Sequence, residues 1–224
     1  YEMLSAYHEL SSSPKEEKLK LNLNARNKTL TDCIQSVAGQ LSPDSANQLR
    51  AANAGMNDDL NYNLAMLQKT GSSPGQPLAS MVNQALATAN ILTAQKSGST
   101  PSAHLLRQLS VKMAYLKNRY LERIHALGGD ANRDDSAEPA IEDIVEDFSS
   151  ALIKVRSDKS LQGKAETYRK INAVHVRFNF LRKSILDYNN TSVPFVVTHH
   201  SAFIIKTLLD AADEAEQTSG KTGS

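Results

Sequence analysis

At 224 residues the chain can bury a sizeable core, as one domain or as two small ones. Its 25 lysines and arginines balance 24 acids, so no global charge advertises a nucleic-acid or membrane partner. The single cysteine, Cys33, excludes an internal disulfide and a cysteine-based zinc site.

Aromatics are scarce and Trp is absent, which leaves Leu and Ala to carry the packing and favours helices over sheets. No apolar run approaches the roughly 20 residues that span a bilayer. Six of the seven prolines stand where a helix should begin, in a first turn where a missing N–H costs nothing. Ser13-Pro14, Ser42-Pro43 and Thr100-Pro101 pair an N-cap residue with Pro at the first helical position.

Residues 1–10 form a short helix using Met3, Leu4 and Tyr7. Ser13 with Glu16 reads as a capping box opening a long helix to about Leu41. Its seam is Leu19, Leu23, Arg26, Leu30, Ile34, Val37 and Leu41, with Arg26 a charge at an interior position. A helix over 43–69 uses Leu49, Met56, Leu60, Leu64 and Leu67, and residues 71–77 are a loop. The following helix, to about Lys96, places Leu78, Val82, Ala85, Ala89 and Leu92 on one face. Residues 71–95 carry no charge, so this helix is expected to be sandwiched in the protein or covered by a partner.

The helix 101–127 has the seam Leu106, Leu109, Met113, Leu116, Tyr120, Ile124 and Leu127, and Gly128-Gly129 ends it. After an acidic loop, the helix opened by Pro139 buries Ile141, Ile144, Val145, Phe148, Leu152 and Val155. The stretch 168–188 organises the chain: Ile171, Val174, Phe178, Leu181, Ile185 and Tyr188 alternate three- and four-residue steps. Its edges are basic, with Lys170, His175, Arg177, Arg182 and Lys183. A last helix, from Val193 to about Ala215, buries Val197, Ile204, Leu208 and Ala211, and residues 218–224 form a flexible polar tail. The expected fold is all-α, an elongated antiparallel bundle of seven to eight helices over 1–217, as one domain or two stacked sub-bundles sharing long helices.

Charge is segregated by helix. The basic helices flank an acidic one, and mutual pairing is the simplest account. The functional alternative is a basic cleft for a small anion built from Arg26, His175, Arg177 and Arg182. An arginine on an apolar seam needs a carboxylate or a ligand to offset desolvation, unless its head reaches solvent.

Catalytic signatures are missing. Glu122-x-x-His125 is half of a di-iron motif without its second half. His199-His200 are adjacent, so their rings diverge along a helix. Neither a phosphate loop nor a nucleophile elbow occurs. No enzyme activity, cofactor or metal is expected.

In helix number and length the chain resembles the all-helical extracytoplasmic sensor regions of bacterial transmembrane receptors. That likeness implies a non-enzymatic module sensing a ligand or partner on the periplasmic face, joined to the membrane only through flanking segments. The opening on Tyr1 rather than Met fits an excised or processed chain. The alternatives are a self-assembling cytoplasmic or viral scaffold and, behind it, nucleic-acid binding through the basic helices. The uncharged helix predicts a homodimer.

Overall fold

The computed structural model describes residues 2–71, 75–94, 100–126 and 139–220, with side chains throughout these except at 75–78, 125–126 and 218–220. Among the described residues there are nine helices and no strand. They are α1 (Glu2–Ser12), α2 (Glu17–Ala38), α3 (Pro43–Thr70), α4 (Gly75–Ala94), α5 (Pro101–Ala126), α6 (Ile141–Ser157), α7 (Lys159–Gln162), α8 (Ala165–Leu186) and α9 (Pro194–Gly220). The chain is a helical bundle protein, and the element beyond the expected seven or eight is the single turn α7. Residues 128–138, with the glycine pair and the acidic loop, lie outside the described residues, as does Leu127. Of the expected tail, 218–220 continue α9.

The chain divides into two compact units, Tyr1–Gln95 with Leu121–Asp135, and Lys96–Tyr120 with Ser136–Ser224. In the first, α2 and α3 run antiparallel, with Asn27 Nδ2 donating to Asn57 Oδ1 at 2.8 Å. Ile34, Ala38, Ala46 and Leu49 form a core cluster onto which Ile91 and Leu92 of α4 pack. Further along, Gln84 Nε2 donates to Asp59 Oδ2 at 3.1 Å and Asn63 Nδ2 approaches Met81 Sδ at 3.5 Å, which sets α4 antiparallel to α3.

Two helix starts differ from expectation. The Ser13–Glu16 capping box does not form, because Ser11 and Ser12 hydroxyls donate back to the His8 carbonyl and α1 runs on to Ser12. Residues 13–16 then reverse the chain, and α2 starts at Glu17 with no side-chain cap. Residues 71–77 are not all loop either, since α4 begins at Gly75. By contrast Ser42 caps α3 by accepting from Ser45 N at 3.3 Å, with Pro43 next. Gly71 closes α3 at φ +74°, a left-handed conformation suited to glycine, and its N–H reaches Leu67 O at 3.0 Å.

Uncharged α4 is not sandwiched. Ala79, Met81, Val82, Ala85 and Thr88 are buried, whereas Asn83, Ala87, Asn90 and Ala94 are exposed. Its outward face is solvated by amides and small side chains.

In the second unit α5 as far as Tyr120, α6, α8 and α9 make an up-down-up-down bundle, each neighbouring pair antiparallel. Ser102 meets Asp158, just past α6, while Lys112 pairs with Asp147. Arg182 pairs with Glu146, and Arg156 donates to Asn172, which aligns α6 with α8. Lys170 pairs with Glu214 and joins α8 to α9. Arg107 closes the ring on α9, donating to both Glu216 carboxylate oxygens at 2.7 and 2.8 Å and to Asp213 at 2.8 Å. The acidic helix α6 thus pairs with both of its basic neighbours, through exposed contacts worth at most about 1 kcal/mol each.

Stability comes from the interior. Every expected seam residue of α6 is buried, as are Ile171, Val174, Phe178, Leu181 and Ile185 of α8 and the four named on α9. Phe148 and Phe178 meet at the centre, ring centroids 4.4 Å apart. Burial of a side chain of this size contributes about 1.5–3 kcal/mol.

Candidate functional site

Helix α8 buries every third or fourth residue, so what lies between those positions must point sideways or outward. Arg177 falls on the α9 side, while His175 and Arg182 fall on the α6 side. The Arg177 guanidinium sits over the Phe203 ring at 3.9 Å from its centroid. Arg182 is held by Glu146 at 3.2 Å, and His175 is half-buried beside Asn179. Burial, and then the Arg156 charge, holds the His175 pKa below its usual value. Phe178 and its core neighbours separate the two edges of the helix. The fourth expected residue, Arg26, belongs to the first unit, where it is exposed and pairs with Glu2 of α1. A carboxylate from α1 therefore answers Arg26, and its head reaches solvent.

The edge carrying Arg177 continues into a surface made of residues that lie off the apolar seams. Five phenylalanines occur in the chain; Phe148 and Phe178 are buried, and the other three stand out in solvent on this one side of the bundle. Phe195 is 81% exposed, Phe180 62% and Phe203 40%, with Val176 at 69% beside them. Large apolar groups scattered singly need no explanation, but a cluster does.

The antiparallel register of α8 and α9 makes the cluster. Phe180 lies edge-on to His200 at 5.1 Å, Phe195 stacks on His199 at 6.1 Å, and the two histidine rings are 5.4 Å apart. Val193 N donates to the buried Tyr120 hydroxyl at 2.9 Å. This bond fixes the α8–α9 connection against α5 and so positions Phe195, which follows the helix-starting Pro194. A sequence signal was present: Phe180, Phe195 and Phe203 all fall off the apolar seams of their helices.

The cations along this face are Arg177, Lys183 and Lys206, with no acid on α8 after Glu166 or on α9 before Asp210. Arg169, Lys170 and Arg182, by contrast, are answered by Glu166, Glu214 and Glu146. Burial lowers the His200 pKa, and the charges acting on it are those of Arg177 and His199. Its Nδ1 finds no hydrogen-bond partner among the described residues.

Comparison with models of known protein families, with curated proteins and with solved structures gives no match. The site is therefore read from its own chemistry. Among the described residues, no three His, Cys, Asp or Glu side chains gather as metal ligands. What the face offers is exposed aromatic area framed by cations, a composition common at the centre of protein interfaces.

Proposed function

We propose that this chain is a non-enzymatic binding module that engages its partner through the outer face of α8 and α9. One observation carries the reading: three exposed phenylalanines converge with Arg177, His199 and His200 in a chain otherwise poor in aromatics. The setting we favour is the extracytoplasmic sensing region of a bacterial receptor. It is supported by likeness in helix number and length, and by an antiparallel bundle in which occupancy of one face can bias one helix against another. None of the described helices is long and apolar enough to cross a membrane, so on this reading the anchor belongs to flanking segments.

The test uses anilinonaphthalene sulfonate, an aromatic anion suited to an apolar, cationic surface. The native chain should enhance its fluorescence, and Phe180→Ser with Phe203→Ser should remove most of that enhancement while the helical circular dichroism stays intact. Enhancement unchanged in the double variant, or absent from the native chain, overturns the reading.

A further inference from the structure

We infer that the occupant of the α8–α9 face is an acidic amphipathic helix of a partner protein, an inference that rests on the reading of this face as a binding surface. The first support is spacing. Val176 and Phe180 are one turn apart on α8, and Phe195, His199 and Phe203 follow at successive four-residue steps on α9. Rows at four-residue spacing are the ridges by which helices pack on one another. On α8 and α9 these rows form one apolar strip, joined across the helices by the Phe180–His200 contact. A third helix laid along that strip would bury the aromatic rows against its own apolar residues at i, i+3, i+4 and i+7.

The second support is charge. No acid lies on α8 after Glu166 or on α9 before Asp210, while Arg177, Lys183 and Lys206 accompany the aromatic rows. Among the described residues no carboxylate pairs with Arg177. Its partner is the Phe203 ring, so its remaining donors are available to a carboxylate. A partner helix with glutamates beside its apolar stripe would satisfy both features.

The same observations weigh against other occupants. A second copy docking this face symmetrically would set cation against cation. Single-stranded nucleic acid stacks its bases on free ring faces, and Arg177 already covers one face of Phe203.

The experiment titrates the full chain with a fluorescein-labelled helical peptide carrying leucine at i, i+3, i+4 and i+7 and glutamate elsewhere on that side. Parallel arms use the same peptide with lysine for glutamate, phosphatidylglycerol vesicles, and an oligo-dT strand. The glutamate peptide should bind saturably and weaken with added salt. Its affinity should fall at least roughly tenfold in Arg177→Glu and in Lys183→Glu/Lys206→Glu, which leave the apolar rows in place. Equal binding of the lysine peptide overturns the inference, as does binding confined to vesicles or oligo-dT. So does a self-association, seen by sedimentation, that Phe180→Ser abolishes. If the sulfonate dye binds as expected but the glutamate peptide does not, the helix is excluded and the binding surface stands. If the dye fails too, both fall.

Discussion

Helix α4 and the pair α8–α9 present surfaces of different chemistry to solvent. Helix α4 has no charged residue, yet among its described side chains the exposed ones are small or amide, Asn83, Ala87, Asn90 and Ala94. The pair α8–α9 is rich in cations, yet it exposes Val176, Phe180, Phe195 and Phe203. Charge content along the chain therefore misleads about which surface is sticky. Solvation depends on which residues point outward, and amides with methyl groups serve a free surface as well as charges do. A partner is better sought where large apolar groups stay wet although the helix has charged residues to offer instead.

The sharpest way to break this contrast lies within α8 itself. Phe178→Ala removes a ring packed on Phe148 in the bundle centre and should cost about 3–5 kcal/mol. Phe180→Ala, two residues on, should cost less than about 1 kcal/mol, since it loses one edge contact with His200 and little burial. Urea midpoints of the two variants decide it, and similar losses in both would mean that the exposed face is a second core.

A smaller effect separates the two helix starts of the first unit. Ser42→Ala removes the acceptor for Ser45 N and should cost about 1 kcal/mol. Ser13→Ala should leave the unfolding midpoint unmoved, because its side chain caps nothing in the turn before α2. A matching loss at Ser13 would restore the capping box.

The pattern of apolar spacing revealed most of the fold, for a physical reason: a helix shows its buried stripe at a period that single residues cannot disguise. All six seam residues of α6 are interior, and the seams of α8 and α9 follow suit apart from half-buried Tyr188. Short-range competition was harder to read. At Ser11 and Ser12 two back-bonding hydroxyls prolong α1 by a few atoms' worth of hydrogen bonding, and no periodicity records that. The candidate site was legible only in part. Arg177 was named, but its partner Phe203 is contributed by another helix, and only the α8–α9 register brings them together. Arg26 looked interior by period and is exposed, because its long stem lets the guanidinium leave the seam for Glu2.

For α4, the contrast predicts indifference. Ala87→Glu places a charge on the exposed side and should change stability by no more than about 0.5 kcal/mol. Sedimentation should be unchanged as well. If the substitution breaks up a dimer, the uncharged helix is an interface after all and the comparison between the two faces collapses.

The smallest effect is a difference in pH response, since residues 71–95 hold no ionisable side chain, whereas the α8–α9 face carries two histidines. Burial, then the charges of Arg177 and His199, holds the His200 pKa in the folded state below its ordinary 6.5. The unfolded chain therefore takes up the proton first as pH falls. The contribution of His200 to stability is complete above 6.5 and is lost as pH drops through 6.5 towards the lower folded-state value. His175, lowered by burial and Arg156, acts in the same direction. Carboxylates add their own acid dependence, so the informative quantity is a difference between variant and parent. His200→Gln should flatten the fall in stability between about pH 8 and about pH 5, where the parent loses this term. An identical slope in the variant would show that His200 titrates alike in both states. A steeper slope would mean that an acid faces it, which would remove the cationic character on which the partner helix depends.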